Sequence, residues 1–389
     1  MSSPTPNGPP RPTPTMDKAE APLRDQLRRL VAPKQVQHAI VAIQSIDGTF
    51  RWVGAEGDAN PDGTPMRAET PFWIASVTKL YIAAAIWRLH EQGKLAVEER
   101  MAAYLPTSLI GGLHRLEGVD HTDEITLLHL LGHSSGLPDY LDGKMEGDKS
   151  LLDSLSEDTE LTFDLERALQ LVRDTLTPHF PPQPLDARKV KSQYSDTNYQ
   201  LLIAIIEAVT GEPLHSAFEA LLFEPLGLEH TFVPGHGPAD LPAPMATVWA
   251  GNQALERWRA LGSFRDLVST ADDLLAFMRA LIRGDLFEEP RTLNRMRGNW
   301  KRWAFSLNPT RMGWPIEYGL GMMRMQMPRI FSPFRALPSI VGHTGISGSW
   351  LFYSPELDVV TAGTVDQLTA GAVPFRSVPR LLGVVEGLL

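Results

Sequence analysis

Strand-type segments near both ends of the chain, with a long and mostly helical stretch between them, predict an α+β fold. Near the N-terminus, Gln37 to Ile46 and Phe50 to Gly54 flank Asp47-Gly48, a hairpin signal between two runs of strand-forming residues. Strand-type sequence returns at Tyr318 to Met325, Gly348 to Tyr353 and Val359 to Thr364. Between these ends, apolar spacing places helices at Ile125 to Leu131, Asp164 to Leu176, Asn198 to Val209 and Leu214 to Leu222, separated by Pro- and Gly-containing segments.

In chain order, residues 1–21 are rich in proline, offer little to bury and are expected to be a disordered tail. Leu23, Leu27, Leu30 and Val31 recur at helical spacing, which starts a helix near Ala21. Residues 22–93 and 263–389 are assigned to a discontinuous sheet domain and 94–262 to a helical domain. Pro374 to Leu388 reads as a closing helix. No repeat with a period of 20 to 50 residues is visible.

Bulk properties narrow the function. A chain of 389 residues with 43% hydrophobic content can bury a large core. Its net charge of −10 and the lack of any basic block argue against nucleic acid or an anionic membrane as partner. There is no cysteine, hence no disulfide or thiolate metal site. Residues 1–15 lack the apolar stretch of a secretory signal, and runs such as Leu201 to Ile206 fall far short of the ~20 residues that span a bilayer. The sequence therefore reads as a cytoplasmic protein.

Trp73-Ile74-Ala75-Ser76-Val77-Thr78-Lys79 runs into Leu80 to Trp87, an apolar helix-forming stretch with Ser76 in its first turn and Lys79 one turn on. Residues i and i+3 share a helix face, so the Lys79 amine reaches a Ser76 hydroxyl that is too weak an acid to attack a carbonyl unaided. The helix N-terminus adds unpaired N–H groups where negative charge would develop. By itself Ser76 reads first as a helix cap, the commonest fate of a serine before an apolar helix.

Two further segments supply context: Gln193-Tyr194-Ser195-Asp196-Thr197-Asn198-Tyr199, and Gly342-His343-Thr344-Gly345-Ile346-Ser347-Gly348-Ser349-Trp350. With Ser76 to Lys79 they form, in order, three elements that resemble those of penicillin-recognising serine hydrolases. Tyr194-Ser195-Asp196 is similar to the Tyr-x-Asn of class C β-lactamases, and His343-Thr344-Gly345 stands where those enzymes have Lys-Thr-Gly. The flanks Ile125 to Leu137 and Ser269 to Leu274 also resemble family phrases. From about Val36 onward the chain is identified as a β-lactamase-like serine hydrolase, most similar to the family VIII carboxylesterases. The resemblance implies an antiparallel sheet flanked by helices from both chain ends, with the active site in a cleft against the helical domain.

The resemblance also implies roles. Ser76 becomes the nucleophile, Lys79 and Tyr194 share the handling of its proton in a division left open, and the backbone N–H groups of Ser76 and Ile346 form the oxyanion hole. Asp196, His343, Thr344, Gly345 and Trp350 fall to substrate binding. Asp196 departs from the usual Asn, and in the cleft its charge would repel anionic substrates. His343 removes the fixed positive charge that helps bind an antibiotic's carboxylate. Gly345 and Gly348 let a strand edge approach a ligand closely. Trp350 is read as a cleft wall.

Other candidates rank lower. Gly132-His133-Ser134-Ser135-Gly136 fits the nucleophile elbow of α/β-hydrolases, but a helix-like segment precedes it and Pro138 blocks a helix after it. His121, His129 and His133 have a zinc-like spacing, yet 11 histidines make such coincidences common. Trp300, Trp303, Trp314, Phe331 and Phe334 form a Pro-punctuated aromatic region, either structural or the wall of an apolar acyl pocket. The combined reading is a serine esterase acting on small esters through an acyl-enzyme, without metal or cofactor, with possible transfer of the acyl group to alcohols or amines. An amidase, D-aminopeptidase or weak β-lactamase on the same machinery is the nearest alternative, and a catalytically silent ligand-binding protein is the alternative of another class.

Overall fold

The computed structural model describes residues 16–145, 148–184, 190–256, 258–298, 300–304, 316–326 and 337–388. Its centre is an eight-stranded sheet of β1 (His38–Ser45), β2 (Arg51–Gly57), β3 (Lys301–Ala304), β4 (Ile316–Tyr318), β5 (Met323–Met325), β6 (Ile340–Thr344), β7 (Trp350–Ser354) and β8 (Val359–Thr364). The strand order is β2-β1-β8-β7-β6-β5-β4-β3, and every neighbouring pair is antiparallel. Strands from the two chain ends meet at β1 and β8, where Val41 pairs with Gly363 and Ile43 with Thr361. The antiparallel sheet implied by the resemblance is present.

The helices that matter for the site are α1 (Met16–Val31), α2 (Thr78–Glu91), α3 (Leu127–Leu131), α4 (Leu165–Thr175), α5 (Asp196–Thr210), α6 (Ala271–Arg283) and α7 (Val373–Leu388). Successive side chains of a strand point to opposite faces. On β2, Trp52 donates its indole N–H to Glu20 of α1 (2.6 Å), whereas Arg51 pairs with Asp272 of α6. Helices α1 and α6 therefore cover opposite faces of the sheet.

Helix α2 is buried on all its faces from Thr78 to Trp87, with Leu80, Ile86 and Trp87 fully excluded from solvent. Each such side chain contributes about 1.5–3 kcal/mol of burial free energy, which makes α2 a rigid central post. Tyr81 stacks on Phe277 of α6 at 3.7 Å, and the Trp87 indole donates to the Leu320 carbonyl at 3.2 Å. Helix α6 starts at an N-cap in which the Thr270 hydroxyl accepts from the Asp273 N–H.

Several elements differ from the sequence expectations. Helix α1 starts at Met16 rather than near Ala21, because Ala19 is buried and Glu20 is held by Arg24 and Trp52. Tyr318 to Met325 is a hairpin of two short strands, not one strand, with the Gly319 N–H donating to the Met322 carbonyl across the turn between them. Trp303, of the Pro-punctuated aromatic region, lies on the edge strand β3. Trp314, Phe331 and Phe334 lie outside the described residues. Among the described residues no single helix is long and apolar enough to cross a membrane.

Candidate active site

Ser76 lies in a single 3-10 turn, Ala75–Val77, immediately before α2 rather than inside the α-helix itself. Ala75 takes a left-handed backbone conformation (φ 47°), which costs a non-glycine residue about 1–3 kcal/mol. The bend turns Ser76 outward. Among residues 71–87 it is the one residue that is not buried.

Two donors converge on its oxygen. Lys79 Nζ and the Tyr194 hydroxyl each donate to Ser76 Oγ at 3.0 Å. Lys79 is buried and forms an ion pair with Asp196, in the first turn of α5, where the helix N-terminus favours negative charge. The Tyr194 hydroxyl also lies 3.5 Å from Asp196 Oδ1. Lys79 stands over the rings of Tyr194 and Tyr199 at 5.3 and 5.4 Å.

These contacts set the protonation of the site. Burial favours the free amine of Lys79, but the carboxylates, Asp196 first and then Asp266, outweigh it and raise its pKa well above the ordinary lysine value. Burial and then the Asp196 charge push the Tyr194 phenol up, more than Lys79 pulls it down. Both potential bases therefore rest in their acid forms, and Asp196 carries the negative charge of the group.

The third sequence element is clamped against the segment before Ser76. Ser349 Oγ donates to the Ile74 carbonyl at 2.7 Å and Ser347 Oγ to that of Trp73 at 3.4 Å. A Cβ on Gly345 would lie 2.8 Å from both the Ala75 Cβ and the Ile74 oxygen, so only glycine allows this approach. Ile346 is the one residue from 341 to 350 that is not buried. It shares with Ser76, Lys79 and Asp196 the lining of a cavity of about 40 Å³, room for about three waters.

The other expected substrate contacts are placed elsewhere. His343 is buried outside the cavity lining: its Nδ1–H donates to the Thr344 carbonyl at 2.7 Å and its Nε2 lies 3.1 Å from the Tyr318 hydroxyl. Burial, followed by the Lys79 charge, pulls its pKa down to about 3, so it is neutral. Thr344 is buried and donates to the Ser349 carbonyl at 2.9 Å. Trp350 is not a cleft wall. It pairs across β6 with Thr344, which points away from the His343 face, and it packs over Gly363, where an added Cβ would come within 2.3 Å of the indole. That is the α1 face of the sheet.

Ser134, the elbow-like serine, is fully buried and accepts from Lys301 Nζ at 3.1 Å. Burial of Lys301 lowers its pKa to about 8. The three histidines do not converge: His121 pairs with Glu124 at 2.9 Å, His129 caps α3 through Thr126, and His133 Nδ1 accepts from the Ser195 N–H at 3.2 Å. Among the described residues no group of three His, Asp or Glu is arranged to hold a metal ion.

Sequence reasoning missed Tyr199, Gln200, Ile203 and Asp266, which all line the cavity. The first three follow Asp196 at i+3, i+4 and i+7, so the helical face of α5 carried their signal. Asp266 carried none. It is brought in because Phe72–Trp73 pairs with Val268–Ser269, and Thr78 Oγ1 accepts from the Leu267 N–H at 2.8 Å.

The chain is similar to several known proteins. The Beta-lactamase family profile matches residues 24–376. Esterase EstB of Burkholderia gladioli is 33% identical over 195 residues, 48% of this chain and 45% of that protein. The chain spans less than half the length of the first curated relatives it matches, at 45%, 34% and 48% of their sequences. EstCE1, a hydrolase with promiscuous acyltransferase activity, superposes with a TM-score of 0.71 at 22% identity, covering 95% of this chain and 98% of that one. D-amino acid amidase from Ochrobactrum anthropi SV3 superposes with a TM-score of 0.72 at 20% identity, covering 94% and 99%. With the profile spanning nearly the whole chain and the fold shared throughout, this protein belongs to the β-lactamase family, within the wider superfamily of β-lactamase-like and penicillin-binding-protein-like serine hydrolases.

Proposed function

We propose that the protein is a serine esterase that hydrolyses small carboxylic esters through an acyl-enzyme on Ser76. The observation that carries this reading is the convergence of Lys79 Nζ and the Tyr194 hydroxyl on Ser76 Oγ, each at 3.0 Å, at the edge of a cavity. The likeness to EstB and EstCE1 supports an ester as substrate.

In this reading Ser76 Oγ attacks the ester carbonyl, and the carbonyl oxygen becomes an oxyanion facing the N–H groups of Ser76 and Ile346. Such donors contribute on the order of 3 kcal/mol each. The Ser76 proton passes to Lys79 or Tyr194 as that same group gives its own proton to Asp196, which contacts both. When the C–O bond to the leaving group breaks, the proton returns along the same chain to the alkoxide. Water then repeats the sequence on the acyl-enzyme, and a bound alcohol or amine would take the acyl group in its place. The free space of about 40 Å³ favours short acyl groups.

An amidase is the second reading, favoured by the fold shared with D-amino acid amidase. Hydrolysis of p-nitrophenyl esters of increasing acyl length, measured beside the matching anilides, tests the choice: the esterase reading expects turnover that falls with chain length and is slower on anilides.

A further inference from the structure

We infer that Asp266 anchors a positively charged amino group of the substrate, so that the site favours esters carrying an ammonium a short tether from the scissile carbonyl. This rests on the esterase reading above and names the substrate class of that same site.

The charge arithmetic of the cavity motivates it. Two carboxylates, Asp196 and Asp266, line the cavity with one cation, Lys79. Lys79 forms its ion pair with Asp196. Asp266 is bonded to the Thr78 hydroxyl, and among the described residues no Lys, Arg or His lies within ion-pair distance of it. Its chain neighbour Arg265 is engaged by Glu207. With Lys79 paired to Asp196, Asp266 faces the cavity without an ion-pair partner of its own, and when it is ionised one ligand ammonium makes the site neutral.

The walls fit the same occupant. Trp73, Trp258 and Phe264 line the cavity beside Asp266 and touch one another, with ring centroids 5.6, 5.4 and 5.4 Å apart. Aromatic faces attract cations, most strongly where water is excluded. Tyr140 completes the wall. The groups that face Asp266 from the packed elements are Lys79 of α2, Asp196 of α5 and the neutral phenol of Tyr140. Burial, then Asp196, against the opposing pull of Lys79, leaves the Asp266 pKa raised to about 7. A bound ammonium would favour the ionised form, so affinity for it should weaken below pH 7.

Position completes the case. Thr78, which bonds to Asp266, is two residues from Ser76, so the segment that carries the nucleophile also fixes the anchor. An ammonium held at Asp266 presents a carbonyl a few bonds away to Ser76.

The test compares β-alanine methyl ester with methyl butyrate, its neutral counterpart of equal chain length, followed by pH-stat at pH 7.5 with the full chain. Wild type should show the higher kcat/KM on the ammonium ester, and Asp266→Asn should reduce that ratio about tenfold or more, the effect of losing a charged hydrogen bond. Asp266→Ser is the second variant if the first does not fold. Butylammonium should inhibit methyl butyrate hydrolysis more strongly at pH 8 than at pH 6 in wild type only. Turnover of methyl butyrate without any ammonium preference, or a ratio unchanged in Asp266→Asn, overturns the inference and leaves the esterase reading standing. Absence of turnover on both esters overturns the esterase reading instead. In that case thermal stabilisation by butylammonium, present in wild type and lost in Asp266→Asn, still supports the anchor, and equal shifts in both proteins reject it.

Discussion

Asp196 and Lys79 form an ion pair beside the Ser76 hydroxyl, and that contact decides the protonation state of the groups around it. A neutral amide at this position would leave Lys79 buried with a weaker counter-charge, and its proton would be easier to remove. With the carboxylate present, Lys79 and Tyr194 both keep their protons. In the proposed mechanism Asp196, which also lines the cavity, is the final acceptor of the proton chain.

Asp196→Asn should lower kcat on a short neutral ester at pH 7 by about 100-fold, within the range of a lost general base. Because the charge that raises the Lys79 and Tyr194 pKa values is removed, both deprotonate more readily, and the residual activity should climb as the pH is raised. A pH–rate profile of the variant checks this. Unchanged kcat at pH 7 would remove Asp196 from the proton chain.

Tyr194→Phe keeps the ring between His133 and His343 but deletes the hydroxyl that donates to Ser76. The loss should fall on kcat, on the order of 10²–10⁴-fold, with KM for a short ester little changed. Steady-state kinetics separate the two constants.

Ser134→Ala should retain ester turnover per folded molecule while lowering stability. The hydroxyl is the acceptor for Lys301, and removing it leaves a buried donor unpaired at a cost of about 1–3 kcal/mol. Chemical denaturation gives the stability change, and kinetics on the remaining folded protein give the activity.

Short neutral esters should exceed anionic β-lactams by a wide margin in kcat/KM, measured with p-nitrophenyl butyrate and nitrocefin. The reason differs from the one read in the sequence. His343 lies outside the cavity lining, bonded to Tyr318, and two cavity carboxylates, Asp196 and Asp266, against the single cation Lys79, would oppose a substrate carboxylate. His343→Lys should accordingly bury a second cation near Lys79 and destabilise the protein, without raising nitrocefin turnover.

What could be read from the chain follows the range of the interactions. Ser76 and Lys79 are three residues apart, so their contact is fixed by helix geometry, and it is found. Tyr194 lies 118 residues from Ser76 and was placed by resemblance alone. Trp350 was assigned to the wrong face because the face depends on strand register, which pairs it with Thr344 and Gly363 and is set by turns and packing far from the residue itself. The Tyr318 to Met325 hairpin was missed because its turn, Gly319 to Met322, is as apolar as its strands. Asp266 had no periodic neighbour to announce it, since a pairing between residues nearly two hundred positions apart carries it into the cavity.

In the proposed mechanism Ser76 is the acylated residue. Intact-mass analysis of the full chain after brief exposure to a fluorophosphonate or a slow acyl donor, followed by peptide mapping, tests it most directly. The account predicts a single adduct on the peptide that contains Ser76, absent in Ser76→Ala together with all ester turnover. An adduct on Ser134, or undiminished turnover in Ser76→Ala, would contradict it.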